Sequence, residues 1–549
     1  MHKLILTCLF FFLSSLLFSQ VAPDNYRIFF TDKKNSEYSV SQPEEYLSPR
    51  AITRRLKQNI DITESDLPVN KIYLDSLNKL GLKIINTSKW LNTAVVYTDD
   101  TALMDTINNL NFVKKSQKTG CSPKKKKSKN SDCPAKAFQQ QGDSTFDYGY
   151  GTTQISMLNG HVLHRNGNLG QDMVIAVLDA GFYNVDIFPA FDSLWSNHQI
   201  LGTYDFVDGD KEVFDASSHG MKVLSVMGAN IPGKLIGTAP KAGYWLLRSE
   251  QTASEYSIEE DNWIAAAEFA DSVGADIINS SLGYFEFDDP LLNYTYNDMD
   301  GNTAFITKAA DIAASKGMLV VVSAGNQGDD PWKYITAPAD GDSVLTVGSV
   351  NQYAEYTYFS SIGPTVDGRI KPNVAAMGYQ TAIQGIDGSI TASNGTSFSA
   401  PLISGLAACL WQYYPELNNI EILRKIEESA HKYSSPDNYT GYGIPDFGKA
   451  ANLINTNILS LSNNCETVTI YPNPFQYKLN IKLNTKDESD VIIEVFNIKG
   501  QKIKKIQPKE QIIRNSTITI DEINNLPSGI YLLKINIGNQ SISKQISKI

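Results

Sequence analysis

The sequence predicts a parallel α/β sheet with helices on both faces, preceded by a small α+β module and followed by a small β-sandwich. Three observations predict it. Continuous apolar runs recur between about residues 146 and 455: Met173 to Leu178, Tyr244 to Leu247, Ala275 to Asn279, Met318 to Ser323 and Val344 to Val350. Strands buried on both faces read this way. Helical patterns lie between the runs, at Met221 to Met227, Ile258 to Val273 and Ala304 to Lys316, so the connections are βαβ crossovers. The composition then changes beyond residue 466, where short alternating strands are separated by turn residues.

The flanking regions follow in chain order. Residues 1–20 carry Lys3, an apolar stretch from Leu4 to Phe18 and a small residue at Ser19, the pattern of a secretory signal peptide. That stretch is too short for a comfortable transmembrane helix, and no later segment reaches spanning length. Residues 21–118 alternate strand-like pieces (Tyr26 to Phe30, Thr93 to Tyr97) with helical ones (Ile72 to Leu80, Asp100 to Leu110). Residues 119–145 are rich in Lys, Ser, Gln and Pro and read as a linker and processing region. Residues 466–549 contain Leu479 to Leu483, Ile492 to Phe496, Ser516 to Ile520 and Ile530 to Ile537, a sandwich of roughly seven strands.

Charge and cysteine usage narrow the function classes. The 549 residues carry a formal net charge of −11, which argues against nucleic-acid binding. Of five cysteines, Cys8 falls in the signal, Cys121 and Cys133 are placed to close a small loop, and Cys409 sits in an apolar helical run as a buried thiol. No cysteine or histidine spacing suits zinc. No cofactor is required by anything in the sequence. Asp205, Asp208 and Asp210 form a carboxylate-rich loop, with the composition of either a structural calcium site or a solvated acidic turn.

Ligands in parallel sheets bind beyond the carboxyl ends of the strands. Asp179 ends the first apolar strand, in Val177-Leu178-Asp179-Ala180-Gly181. Alone, it also reads as a cap or turn aspartate. His219 opens a helix in Ser218-His219-Gly220-Met221. Ser397 follows Gly395-Thr396 and opens the apolar helix running to about Tyr414, with Pro401 near its start. Asn326 follows the strand Leu319 to Val322, in Ser323-Ala324-Gly325-Asn326. Peptide hydrolysis needs a nucleophile, a base, a group that orients the base and donors for an oxyanion. The chain order Asp, His, Ser matches one of the three known orders of that set.

These three motifs, with Gly395-Thr396-Ser397-Phe398-Ser399-Ala400-Pro401 the most specific, resemble the active-site signatures of subtilisin-like serine proteases (subtilases, peptidase S8) over residues 146–455. The resemblance implies a subtilisin-like sheet and a secreted serine endopeptidase acting on protein or peptide substrates. In it Ser397 is the nucleophile, His219 the general base, Asp179 the orienting carboxylate and Asn326 the oxyanion donor. Ser281, Leu282 and Gly283, with Ser323, Ala324 and Gly325, would line the substrate cleft. Two departures, Met221-Lys222 after His-Gly and Ala180 after Asp179, are expected to alter substrate preference at most.

Residues 21–118 stand where a subtilase propeptide stands, which makes the prosegment a partner of its own enzyme. Ile470-Tyr471-Pro472-Asn473-Pro474-Phe475, Val495 to Gly500 and Leu526 to Tyr531 resemble a C-terminal sorting domain of the Por (type IX) secretion system. That resemblance implies export through the periplasm, passage by the outer-membrane machinery, and release or attachment at the cell surface. Two rival readings stand beside these: a catalytically silent subtilase scaffold, and a surface adhesin whose sandwich binds glycans.

Overall fold

A computed structural model describes residues 25–120, 146–452, 467–471, 475, 477–484, 491–497, 501–507, 516–521, 523, 525–527, 529–537 and 540–548. The expected signal peptide, most of the linker and the Cys121–Cys133 pairing lie outside the described residues. The chain divides into two compact units, Met1–Leu453 and Ile454–Ile549.

The first unit opens with a four-stranded antiparallel sheet, order β2-β3-β1-β4, of β1 (Asn25–Phe30), β2 (Lys83–Ser88), β3 (Thr93–Tyr97) and β4 (Val113–Gly120). Helices Lys71–Lys79 and Leu103–Asn108 bury Leu77, Met104 and Ile107 in one apolar cluster with Ile28, Ala94 and Val96.

Seven parallel strands follow in the order β13-β12-β11-β10-β5-β9-β6: β5 (Val174–Asp179), β6 (Ile200–Asp205), β9 (Gly243–Arg248), β10 (Ile277–Ser280), β11 (Leu319–Ser323), β12 (Val344–Val350) and β13 (Val374–Met377). Two short hairpins, β7 (Asn230–Ile231) with β8 (Leu235–Ile236) and β14 (Thr381–Gln384) with β15 (Ile390–Ser393), sit outside this sheet. Side chains alternate along each strand. Ile175, Val177, Leu319 and Val321 face a core completed by helices His219–Gly228 and Thr396–Tyr413. Val174, Ala176, Leu178, Val320 and Val322 face a second core, completed by helices Ile258–Val273 and Phe305–Ser315. This two-sided burial is why the strands read as unbroken apolar runs. Cys409 is buried in the first core as a free thiol.

This N-terminal sheet docks on helix Ile258–Val273. Arg27 forks onto Asp261 at 2.6 and 2.7 Å, Arg55 meets Asp271 at 2.9 Å, and the N–H groups of Lys89 and Trp90 reach Glu268 at 2.8 and 3.0 Å.

The second unit holds β16 (Thr467–Tyr471), β17 (Leu479–Asn484), β18 (Val491–Asn497), β19 (Lys502–Ile506), β20 (Ser516–Ile520), β21 (Gly529–Ile537) and β22 (Gln540–Lys548). They form antiparallel sheets β16-β17-β20 and β19-β18-β21-β22. Leu479, Ile481 and Ile520 of one share a core with Ile493, Val495, Leu533 and Ile546 of the other, which makes a sandwich.

Candidate active site

Three neighbouring strands, β11, β10 and β5, lead into Asn326, Ser281 and Asp179, and the first residues of two helices supply His219 and Ser397. Asp179 is the last residue of β5 and is fully buried. Its Oδ1 accepts from the Ala180 N–H and from His219 Nδ1, both at 2.7 Å, while Oδ2 has no hydrogen-bond partner among the described residues. The carboxylate is thereby fixed on the imidazole. His219 is the first residue of its helix and keeps a third of its side chain exposed. Gly220 explains this close approach: a Cβ there would lie 2.6 Å from the Gly181 carbonyl oxygen and 2.9 Å from Asp179 Cβ. Burial pulls the imidazole pKa down, but the Asp179 charge and hydrogen bond outweigh it, so the net direction is upward from the usual value. With Nδ1 donating, Nε2 carries the lone pair a general base needs.

Ser397 is the second residue of helix Thr396–Tyr413. Its hydroxyl donates to the Ser281 carbonyl at 3.3 Å, and the Ser281 hydroxyl donates to the Ser397 carbonyl at 2.9 Å. The Phe398 ring lies 6.0 Å from the His219 ring, centroid to centroid. Gly395, at φ +148°, makes the turn that starts this helix. From the point its missing Cβ would occupy, Asn326 Nδ2 and the Ser397 amide nitrogen are each 3.7 Å away. Asn326 Oδ1 is taken by Thr396 N at 2.9 Å and Thr396 Oγ1 at 3.0 Å, which fixes the amide with its N–H₂ end free to donate. The first N–H groups of a helix lack intrahelical acceptors, so the Ser397 amide and Asn326 Nδ2 converge as a donor pair.

Ser281, Leu282 and Gly283 continue from β10; Ser323 ends β11 and Ala324 and Gly325 follow it. Ser281, Ser323 and Ala324 are buried, Leu282 and Gly325 half-buried, and Gly283 exposed. A Cβ on Gly283 would strike Thr336 Oγ1 at 2.1 Å, and one on Gly325 would meet Ser361 Oγ at 2.7 Å and Thr336 Oγ1 at 3.1 Å. Thr336 therefore stands beside both segments and Ser361 beside the second, and Thr336 Oγ1 is buried with no hydrogen-bond partner among the described residues. Local sequence gives no signal for either residue. Asn279 was also not legible: it accepts from Ser404 on the serine helix at 2.8 Å and donates to Ser281 Oγ at 3.4 Å.

Two further sequence features acquire a structural setting. Met221 is fully buried and Lys222 7 % exposed in the full-length chain. The Lys222 charge opposes protonation of His219. In the Asp205–Asp210 loop, Arg248 Nη1 binds Asp205 at 2.5 Å and Asp208 at 2.7 Å, and Asp210 accepts from Glu212 N at 2.8 Å. An arginine already neutralises the carboxylates that a cation would need there.

Comparison with known proteins decides the family. The subtilase family matches residues 170–443. The subtilisin of Bacillus pumilus is 30 % identical over 303 residues, 54 % of this chain and 97 % of that protein. The chain belongs to the subtilase family. Subtilisin NAT of Bacillus subtilis subsp. natto is 29 % identical over 325 residues, 58 % of this chain and 76 % of that protein. A thermophilic serine proteinase of Bacillus sp. (strain AK1) is 32 % identical over 281 residues, 50 % of this chain and 60 % of that protein. The Bacteroidota peptidase S8 propeptide domain matches residues 25–133, and the secretion system C-terminal sorting domain matches residues 469–548. This subtilase is thus a subtilisin-like serine protease with a propeptide and a sorting domain for secretion or cell-surface attachment.

Proposed function

We propose that this subtilase is an endopeptidase made as an inhibited precursor, with Ser397, His219, Asp179 and Asn326 performing peptide-bond hydrolysis. The observation that carries the reading is the 2.7 Å Asp179–His219 hydrogen bond at the sheet edge where Ser397 opens its helix. In this reading the Ser397 hydroxyl, which bonds the Ser281 carbonyl in the resting chain, turns to His219 Nε2 when substrate is bound. His219 takes the proton as Oγ attacks the scissile carbonyl carbon. Negative charge then grows on the former carbonyl oxygen, where the Ser397 N–H and Asn326 Nδ2 donate to it. Collapse breaks the C–N bond, His219 passes its proton to the leaving amine, and an acyl-enzyme remains. Water, deprotonated by His219, releases the acid and restores Ser397. Asp179 stays ionised throughout and stabilises the imidazolium.

The segments Ser281–Gly283 and Ser323–Gly325 hold the peptide by main-chain hydrogen bonds, as a strand laid between two existing edges. In this reading residues 1–20 are the signal, 21–118 the propeptide, 119–145 the processing region, 146–455 the peptidase and 466–549 the sorting domain. Export runs through the periplasm and the outer-membrane machinery.

Intact mass and N-terminal sequencing of the secreted protein, wild type against Ser397→Ala, test this. The expected result is a shortened, casein-cleaving wild type and an unprocessed, inactive variant. Equal casein hydrolysis by both proteins rejects the assignment. An inert wild type with a native fold favours the silent-scaffold reading.

A further inference from the structure

Beyond the triad, three carboxylates converge just past the C-terminal end of β9. Glu250 lies two residues past the end of that strand, Glu255 in the loop that follows, and Glu259 in the first turn of helix Ile258–Val273. One oxygen from each lies within 4.8 Å of the other two. Glu250 and Glu259 are buried and Glu255 is half-buried. Like charges this close, removed from water, need a cation or protons. Among the described residues none of the three enters an ion pair; the nearby Arg27 is committed to Asp261 and Glu260.

The partners they do have are few. Glu250 accepts from the Tyr284 hydroxyl, and from Ser249 Oγ at 3.4 Å. Glu259 Oε1 accepts from Gln251 N at 3.0 Å. Glu259 Oε2 is shut away from solvent and has no hydrogen-bond partner, although the residue is only 2 % exposed. Burial, followed by mutual repulsion with Glu255 and Glu250, drives Glu250 and Glu259 well above the usual carboxylate range. Burial and the Asp288 charge push Glu255 up to about 7. The cluster is a cradle of three carboxyl groups with no cation supplied by the described side chains.

We infer that Glu250, Glu255 and Glu259 bind one calcium ion. With the three oxygens within 4.8 Å of one another, one ion with Ca–O bonds of about 2.4 Å can reach all of them. The all-oxygen donor set suits a hard cation, whereas zinc sites favour nitrogen and sulfur. Magnesium demands shorter bonds in near-octahedral array. A lysine or arginine head from a substrate would have to thread its stem past two carboxylates that are under a tenth exposed; a bare ion has no stem.

The consequence reaches the cleft. Ser249, beside Glu250, donates its N–H to the Asp179 carbonyl at 3.0 Å. Tyr284, which holds Glu250, directly follows Ser281–Gly283. Glu259 sits on the helix that carries the prosegment. A bound ion ties these three pieces together and stiffens the loop between β9 and that helix. This site does not depend on the proteolytic reading.

The full chain, stripped of metal and titrated with terbium, tests it. Tyr284 touches a ligand, so tyrosine excitation should sensitise terbium emission at one ion per chain, and calcium should displace it. Calcium at 100 times its Kd should raise Tm by about 3 °C. Glu259→Gln should weaken binding at least tenfold and remove the Tm rise, as should Glu255→Gln at the more exposed rim. Asp208→Asn should change neither. No sensitised emission from wild type overturns the inference whatever the variants do. So does undiminished calcium binding in folded Glu259→Gln and Glu255→Gln, or loss of binding in Asp208→Asn.

Discussion

The serine helix (Thr396–Tyr413) and the prosegment-bearing helix (Ile258–Val273) pack on opposite faces of one sheet and are built from different materials. Sixteen of the eighteen residues of the first are buried, and from Ala400 to Trp411 only Ser404 carries a polar side chain outside the indole. The second buries Trp263, Ile264, Ala266 and Ala270 toward the sheet, but also Glu259, Glu260, Asp261, Asn262, Glu268 and Asp271 on its other sides. Apolar packing fixes the nucleophile, with no charge to titrate or exchange for water. The prosegment is held by charges that water can solvate once it leaves. A buried ion pair gives little net stability yet is costly to break on one side only. That suits a partner that must dock in one register and later depart.

The largest effect expected lies on the apolar side. Ser397→Ala should cut kcat by about 10⁶-fold, the size of loss that removing this group causes in subtilisin itself. Thermal unfolding should move little, because the substituted hydroxyl has only the long bond to Ser281. Asn326→Ala should lower kcat by about 10²–10³-fold with KM nearly unchanged, since its free N–H₂ acts only as the oxyanion forms. A rise in KM of the same size would place Asn326 in ground-state binding.

Asp271→Asn sharpens the contrast from the charged side. Arg54, Arg55 and Lys89 all meet that carboxylate. Removing it strands buried cations at about 3–5 kcal/mol, so the processed prosegment should dissociate about 10²–10⁴-fold more readily. Activity regained after processing measures this, and the activity of the freed enzyme should match wild type.

Titration gives smaller effects. Proton uptake silences His219 as a base, and Asp179 raises its pKa above the usual 6.5. The acidic limb of kcat/KM should therefore have its midpoint above pH 6.5, and Asp179→Asn should lower both that midpoint and the rate.

Prosegment release should also depend on pH. Asp271 is pushed up by burial but held below its ordinary 3.8 by Lys89, Arg54 and Arg55, all three from the prosegment. Its contribution to docking is present above that value and lost as pH falls, so release should quicken on strong acidification.

The same contrast explains what could be read from the chain. β5, β9, β10, β11 and β12 were legible because both faces are apolar. β6 (Ile200–Asp205) lies at the sheet edge and mixes Gly, Thr and Asp with its apolar residues, and β13 (Val374–Met377) is four residues long; neither announces itself. In the prosegment, β4 reads Val-Lys-Lys-Ser-Gln-Lys-Thr-Gly, a polar edge strand that only its antiparallel pairing with β1 reveals. Asp179, His219 and Ser397 were legible because each sits in a motif whose glycines the geometry requires. Thr336, Ser361 and Asn279 reach the site through tertiary contact alone. The Glu250–Glu255–Glu259 cluster is scattered over ten residues, and its convergence depends on the angle at which a helix leaves its loop.

Fluorophosphonate labelling of the processed enzyme, with the modified peptide identified by mass spectrometry, tests the central claim most directly. The account predicts one adduct, on Ser397, formed quickly in wild type and slowed by orders of magnitude in His219→Ala. An adduct on any other serine, or a Ser397 adduct that forms at the wild-type rate without His219, would contradict it.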